Sequence, residues 1–296
     1  MFESEHVMSN HLKWIRYVGT PALVAAALAV LPMAAMSRGV AVAEWRQQPA
    51  ASEGTQPAVS AKTWVGKAAE IEEYIRTAPI ARTTDVPRGV TKPRRAYFAP
   101  GGLVESMAWK PLKPGMVNGF FESYKSEIAA YEIDKLLELD MVPPKVERRI
   151  SGDLGVAVMW VVPTKSFADL RGVPTPPPAQ AESWNRQLVQ AKMFQNLVGD
   201  LDPNLGNWLV DPMWNLILVD HSRALTRTER LIHEMQRIDA DLWTRMKALT
   251  AETLTKAAGT WIGKGEVGAI LERREKMQAQ IDKLVRSSSE ARVFIR

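Results

Sequence analysis

The pattern of apolar and polar positions divides the chain into three kinds of segment. Tyr17–Ser37 contains no charged residue and is almost entirely apolar. Arg46–Ala61 is rich in Pro, Ala, Ser and Gln, a composition typical of a flexible tether. From Trp64 onward, apolar residues recur at the spacings of helices and strands, so we expect the folded part of the chain to begin near that residue.

The first half of the folded part is predicted to contain strands around one strong helix. A short helix is expected at Trp64–Ile75, and the "PGG" turn at Pro100–Gly102 predicts a hairpin. The apolar face of Tyr124–Met141 predicts a longer helix, which Val142–Pro144 ends. The apolar run "GVAVMWVVP" then predicts a buried strand at Gly155–Pro163.

The second half is predicted to be mostly helical. A Pro-rich connector, Gly172–Ser183, separates it from the first half, and the apolar run that ends at Asp220 predicts a short buried strand. From Thr226 onward the chain is expected to be helical to its end. The segments with helical periodicity are Trp184–Asp200, Glu229–Trp243 and Val267–Val285. The predicted fold class is therefore α+β, with a small strand-containing N-lobe and a mostly helical C-lobe.

The apolar run near the N-terminus predicts how the protein is delivered. Lys13 and Arg16 precede this run, and the small residues at Ala41–Ala43 suit a signal peptidase. The run is also about long enough to span a bilayer, which takes roughly 20 residues. We therefore expect a signal peptide or a signal anchor, and an exported or membrane-tethered protein; a buried core helix is the alternative. The predicted organisation is a leader at 1–43, a linker at 44–62, an N-lobe at 63–171 and a C-lobe at 172–296.

Composition and charge exclude several classes of function. Hydrophobic residues make up 46% of the chain and charged residues 24%, which is ordinary for a globular protein. The net charge of +5 is spread along the chain, so no nucleic-acid partner is expected. The chain has no cysteine, which excludes disulfides, thiol catalysis and thiolate metal sites. Two of the four histidines lie in the leader, so few candidates remain for a histidine-based site.

The loop "VGDLDPNLGNWLVD" concentrates carboxylate and amide side chains in a short stretch. Four of them fall at positions used by calcium loops of the EF-hand type: Asp200, Asp202, Asn204 and Asp211. Such loops need glycine at position six and a bidentate Glu at position twelve. Here Leu205 occupies position six, Gly206 comes one residue late, and position twelve is an aspartate. The calcium interpretation is therefore weak, and a catalytic loop or a polar turn must be considered.

The spacing of three polar residues fits a catalytic loop for phosphoryl transfer. Asn207 follows Asp202 by five residues, and Asp220 follows Asn207 by thirteen, at the end of the predicted strand. Kinases use one Asp to accept the proton of the acceptor hydroxyl, and an Asn with a second Asp to hold divalent metal against the phosphates. Taken alone, the Asp202 and Asn207 pair would more often be a turn or a helix cap.

Two residues of the first half complete this set. Lys110 ends a predicted strand, where a kinase places the lysine that contacts the nucleotide phosphates, and Glu127 lies on the next helix, where the partner of that lysine belongs. Each of the two alone could be an ordinary surface charge. Because all five residues occur in the order and spacing of a kinase, we interpret them together as a kinase-like site.

The chain resembles known kinase families at these residues. The stretch from "AWKPL" to "ELDMVPP" is similar to the small lobe of the Four-jointed and Golgi casein kinase group of secretory-pathway kinases. The stretch from "GDLDPNLGNWLVD" to "LILVDHSRAL" resembles that group and the phosphatidylinositol 3- and 4-kinase-like superfamily. The resemblance implies a bilobal protein-kinase-like fold that uses ATP with Mg or Mn. It also implies the following roles: Asp202 and Lys110 in catalysis; Lys110, Glu127, Asn207 and Asp220 in nucleotide binding; Asp220 and Asn207 in metal binding.

The chain departs from ordinary protein kinases at several positions. Asp200 and Leu201 replace the His and Arg of H-R-D, and we favour Asp200 as a cap of the loop over a further acidic neighbour of the metal. Asn204 stands where the catalytic loop usually has Lys or His, so Arg223 is a candidate for neutralising the transferred phosphate. No Gly-rich loop is present; Pro87–Arg95 contains Gly89 and a Thr-Lys pair that could cover the phosphates.

The sequence leaves three functions open. The first is an active kinase with a hydroxyl acceptor that could belong to a protein, a sugar or a lipid. The second is a pseudokinase-like binding module, which the presence of all five site residues disfavours. The third is a calcium-binding structural protein, which the misplaced glycine disfavours.

Overall fold

The computed structural model describes residues 58–86, 93–202 and 204–296, all of which belong to one compact unit, Thr55–Arg296. The predicted leader, most of the predicted tether and residues 87–92 of the stretch predicted to cover the phosphates lie outside the described residues. Over the described ranges, no helix is both long enough and apolar enough to cross a bilayer.

The strands form one five-stranded sheet and three smaller ones within the described residues. Their bounds are β1 Ile80–Asp85, β2 Arg94–Phe98, β3 Ser106–Lys110, β4 Gly115–Val117, β5 Phe120–Glu122, β6 Lys145–Ile150, β7 Asp153–Met159, β8 Lys165–Ser166, β9 Trp208–Val210, β10 Leu216–Leu218, β11 Ile238–Asp239 and β12 Phe294–Ile295. The large sheet is antiparallel, in the order β1-β2-β3-β7-β6. β3 is therefore its central strand.

The helices lie mainly in the second half of the chain. Their bounds are α1 Ala68–Thr77, α2 Tyr124–Leu136, α3 Ala181–Val198, α4 Ala240–Lys247, α5 Ala251–Ala258, α6 Lys264–Ser287 and α7 Glu290–Val293. The helices predicted around α1, α2, α3 and α6 are confirmed, as is the hairpin, which β2 and β3 form around the "PGG" turn. The α+β class predicted from the sequence is confirmed by these elements.

The two faces of the large sheet pack against different partners. Ala96, Met107 and Trp109 lie on one face and share a hydrophobic cluster with α1. Ala108 and Val156 lie on the other face and pack with the start of α2. Since side chains alternate along a strand, Lys110 shares the face of Ala108 and points toward α2.

Helix α2 is buried on more than one side, because it lies between the sheet and the helical core. Ser123 caps its N-terminus by accepting a hydrogen bond from the backbone N–H of Lys125. Ile128 packs with the sheet, whereas Tyr131 belongs to the cluster of the helical part. This double burial places a charged residue of the first turn, Glu127, in the interior.

The helical part has its own core, which contains buried residues of α2 through α6. The boundary between lobes predicted at residues 171 and 172 falls between two paired strands, because β8 precedes it and pairs with β9 beyond it. The position of that boundary stays a prediction.

The helix predicted at Glu229–Trp243 is wrong over most of its length, since the helix in this region, α4, begins only at residue 240. In and just before this segment, buried polar side chains form hydrogen bonds with backbone groups. The side-chain oxygen of Asn196 accepts the N–H groups of Ile232 and His233, at 2.8 and 2.7 Å. Buried Arg273 on α6 donates to the carbonyl oxygens of Thr226 and Thr228, just before this segment. The backbone is thus satisfied in an irregular conformation.

Candidate active site

The central contact of the candidate site joins the large sheet to α2. Lys110 at the end of β3 lies 2.8 Å from Glu127 in the first turn of α2, measured from Nζ to Oε1. The same ammonium lies 2.9 Å from Oδ1 of Asp220. Three residues predicted from distant parts of the sequence therefore meet at one point.

The charges at this point stabilise one another. Burial by itself would lower the pKa of Lys110, but the carboxylates of Asp220 and Glu127 outweigh it and raise that pKa above its ordinary value. Burial would likewise raise the pKa of Glu127, but Lys110 and Lys145 hold it well below its ordinary value. Both groups are therefore charged at neutral pH.

Asp220 reaches the site from a short loop after β10. Its backbone is left-handed, with φ 58°, a conformation that Asp tolerates better than most residues. Ser222 donates its hydroxyl to Asp220 at 3.0 Å, and the carbonyl of Ser222 accepts the N–H of Ser123 at the start of α2. The side chain of Asp220 remains 37% exposed. The loop is thus fixed to α2, while the carboxylate of Asp220 stays partly exposed.

Asp202 and Asn207 are held together by the turn that follows α3. The helix ends at Gly199 in a left-handed conformation, which glycine adopts without strain. Asp200 then accepts the N–H of Asp202 at 3.1 Å, so the predicted cap of the loop is confirmed. Asn207 donates its side-chain amide to the carbonyl of Asp202 at 3.2 Å, and its own carbonyl accepts the N–H of Val219. The backbone at Asn207 is therefore tied to the segment that carries Asp220.

Asp200 has an unusual environment for a carboxyl group. It is fully buried, and its second oxygen has no hydrogen-bond partner in the part of the chain that the structure describes. Burial, together with the nearby carboxylates of Asp220 and Asp202, raises the pKa of Asp200 to about 8. At neutral pH this group is therefore mostly protonated, which suits a cap that adds no charge to the loop.

Arg223 lies beside the candidate catalytic carboxylate. Its guanidinium binds Glu122 at the end of β5 through two nitrogens, each at 2.7 Å from the same oxygen. A third nitrogen lies 3.5 Å from Oδ2 of Asp202, and the group stacks 4.4 Å from the ring centre of Phe120. These contacts hold a positive charge next to Asp202, where the sequence predicted a group that neutralises phosphate.

Two members of the site could not be found from the sequence. Lys145, the first residue of β6, is fully buried, and its ammonium contacts Glu127 Oε2 closely and lies 3.4 Å from Nδ1 of His221. Burial and the neighbouring Lys145 lower the pKa of His221 to about 3, so this imidazole is neutral. Glu122 is the other, and like Lys145 it lies in a strand that the pattern did not reveal.

The donor set fits a divalent cation that is completed by phosphate oxygens. Over the described ranges, no group of three or more His, Asp or Glu side chains is placed to hold a metal by itself. Asp220 offers a carboxylate, and Asn207 uses its amide nitrogen as a donor, which leaves its side-chain oxygen for a cation. Mg²⁺ commonly binds through one or two carboxylates plus substrate phosphates. The residues present therefore fit Mg or Mn with a nucleotide.

The side chains of the calcium alternative are engaged elsewhere. Asp211 accepts hydrogen bonds from the backbone N–H groups of Ala61, Met213 and Asn215. Asn204 accepts the N–H of Gly206 as a cap of a short 3₁₀ turn. These bonds form local turns and attach the start of the folded part, so the arrangement gives no support to an EF-hand site.

Comparison with known proteins shows likeness at the level of structure. Neither a protein-family model nor a curated protein sequence matches the chain. A crystal structure of the Golgi casein kinase matches with a TM-score of 0.56 and 16% identity, over 77% of this chain and 78% of that one. The same kinase with Mn/ADP bound gives 0.56 and 15%, with the same coverage. Hydra Fam20 with sugar gives 0.61 and 13%, over 77% of this chain and 92% of that one.

These likenesses establish the fold. The chain has a bilobal protein-kinase-like fold, with a small strand-containing N-lobe and a mostly helical C-lobe, as its sequence predicted. The resemblance to the Golgi casein kinase group is confirmed as a likeness of fold.

Proposed function

We propose that this protein is an atypical kinase that transfers the γ-phosphoryl group of ATP to a hydroxyl acceptor. The observation that carries the proposal is the meeting of Lys110, Glu127 and Asp220 within hydrogen-bond distance on a kinase-like fold. A solved structure with the same fold, the Golgi casein kinase, has Mn/ADP bound. Both observations support ATP and a divalent metal as the cofactors.

Lys110 and Glu127 have the roles of a phosphate-binding pair. Glu127 is buried and fixed, so it sets the direction of the Lys110 ammonium. The ammonium already faces the carboxylate of Asp220, and we propose that nucleotide phosphates take up this side of Lys110. Asp220 and Asn207 would hold Mg or Mn, which supplies charge neutralisation at the phosphates when bound.

Asp202 is the proposed catalytic residue. Its side chain is 28% exposed and therefore accessible to an acceptor. Its carboxylate accepts the proton of the acceptor hydroxyl while the hydroxyl oxygen bonds to the γ-phosphorus and the bond to the ADP oxygen breaks. Arg223, beside Asp202, orients this carboxylate and adds positive charge where the transferred phosphoryl group passes.

Other observations support the acceptor class and the location. The apolar leader supports export or a membrane tether, and one matched structure is named for the Golgi. The Fam20 structure was solved with a sugar and another matched structure is named a casein kinase, so a sugar or a protein hydroxyl is the favoured acceptor class. A lipid head group is the alternative if the chain stays at a membrane.

The test compares nucleotide affinity with turnover in the full chain. Asp202→Asn should leave the affinity for ATP with Mn within about three-fold, but should lower phosphate release or transfer by about 10²-fold or more, the range that a positioned acid-base group supplies. Asp153→Asn, at an exposed acid at the start of β7, is the matched control. Equal turnover in parent and Asp202→Asn contradicts the assignment. Metal-dependent nucleotide binding without any turnover in the parent would favour the pseudokinase alternative.

A further inference from the structure

Glu127 is contacted by two lysines, whereas a kinase-like pair needs only one. Its Oε1 accepts a hydrogen bond from Lys110 at 2.8 Å. Its Oε2 contacts Lys145 and also accepts the backbone N–H of His221 at 3.1 Å. Each oxygen of the carboxylate therefore has its own ammonium, and the roles of the two lysines differ because their surroundings differ.

The ammonium of Lys145 is enclosed by the core, whereas the ammonium of Lys110 faces a partly exposed group. The side chain of Lys145 has 0% exposure, and its ammonium also lies 3.4 Å from Nδ1 of His221. Lys110 faces the partly exposed carboxylate of Asp220. A buried carboxylate needs charged partners to remain ionised. Because Lys145 supplies one from within the core, Lys110 does not have to neutralise Glu127 alone.

Lys145 also joins three separate parts of the fold. It begins β6 in the sheet, it contacts Glu127 on α2, and it reaches His221 in the loop that carries Asp220. In kinases the lysine–glutamate pair and the metal-binding aspartate must both be in place for activity. The buried ammonium of Lys145 contacts both the glutamate of the proposed pair on α2 and the loop that carries Asp220.

We propose that Lys145 is a positioning residue that holds Glu127, and through it Lys110 and the Asp220 loop, in the arrangement that binds nucleotide. This inference rests on the proposed function. Because the contact of Lys145 with Glu127 is closer than its 3.4 Å contact with His221, we expect Lys145 to act mainly through Glu127 and not to touch the nucleotide.

The experiment is a double-mutant cycle with Lys145→Gln, Glu127→Gln and the double variant in the full chain. We expect Lys145→Gln to weaken ADP binding in the presence of Mn by about 10-fold or more, the range found when a partner that orients a ligand is removed. On the Glu127→Gln background the same change should alter affinity by less than about two-fold, because the group through which it acts is neutral. Lys165→Gln, at an exposed lysine in β8, is the control.

A second measurement uses the protein without nucleotide. Hydrogen exchange of the segment His221–Leu225 should become faster in Lys145→Gln, because the His221 amide is bonded to the carboxylate that Lys145 holds. Unchanged affinity in Lys145→Gln, or losses that simply add in the double variant, would overturn the inference. If the parent itself shows no metal-dependent nucleotide binding, the proposed function fails and this inference fails with it. If the parent binds nucleotide in a metal-dependent way and only the variants lose affinity, the proposed function stands.

Discussion

Gly155 in β7 gives a way to move Lys110 without changing any residue of the site. A Cβ atom at this position would lie 2.3 Å from the carbonyl oxygen of Lys110 and 2.7 Å from Cα of Pro111. Ordinary contact begins at 3.4 Å, so β3 and β7 would have to separate locally by about 1 Å. The obstructing atoms belong to the backbone, so no side-chain rotation relieves the contact.

Gly155→Ala should therefore affect both stability and the site. Overpacking of this kind destabilises proteins by about 1–3 kcal/mol, which urea unfolding measures. A shift of about 1 Å at Lys110 would disturb its contacts with Glu127 and Asp220. Misplacement on this scale can lower activity by about 10²-fold. Titration with ADP and Mn should also show weaker binding than in the parent, because Lys110 would no longer face the phosphates correctly.

The matched control is Gly268→Ala in α6. A Cβ atom there has no neighbour within 4 Å, and alanine in a helix interior is more stable than glycine by about 0.5–1 kcal/mol. The two glycine-to-alanine changes should thus have opposite effects on stability. If Gly155→Ala were as stable as Gly268→Ala and bound nucleotide with the affinity of the parent, the close approach of β7 to Lys110 would be refuted.

Two further predictions concern stability away from the candidate site. Burial raises the pKa of Asp134 from 3.8 to about 7, so the folded protein keeps a proton that the unfolded chain releases. Stability should fall as the pH rises from about 4 to 7, by up to about 4 kcal/mol. Asp134→Asn keeps an acceptor for the N–H of Met141, so its urea midpoint should vary less between pH 4.5 and 8; equal pH dependence would contradict this. Asn196→Ala removes three hydrogen bonds to the backbone around His233 and should cost about 2–4 kcal/mol. Exposed Asn185 on the same helix is the control, and equal stability of the two alanine variants would disprove this role of Asn196.

The sequence predicted the site residues that lie at the end of a strand or near the start of a helix, because the order of these elements along the chain determines their positions. Lys110 ends a strand of a hairpin and Glu127 lies in the first turn of α2, so both could be placed from local patterns. Asp220 follows a short apolar strand, which fixes its place at the edge of the core. In each case a local feature determines where the side chain emerges, and the structure brings all three together.

Features that depend on tertiary packing could not be predicted. Lys145 stands in a polar stretch that gives no sign of complete burial, and its partner Glu127 is 18 residues away. The segment at Glu229–Trp243 has helical periodicity, yet buried Asn196 of another helix accepts its backbone N–H groups, and buried Arg273 of α6 binds the carbonyl oxygens just before it. A local pattern cannot register such contacts, because they exist only after distant helices have packed.

The central claim is that Asp220 binds a divalent metal that carries nucleotide phosphates. The most direct measurement is the thermal shift of the full chain on adding ADP, with and without Mn, for the parent, Asp220→Asn and the exposed control Asp153→Asn. A ligand at 100 times its Kd stabilises the folded state by about 2.7 kcal/mol, which is enough to detect. We predict a shift that requires Mn in the parent and in the control and that is lost in Asp220→Asn. The same Mn-dependent shift in Asp220→Asn as in the parent would contradict the claim.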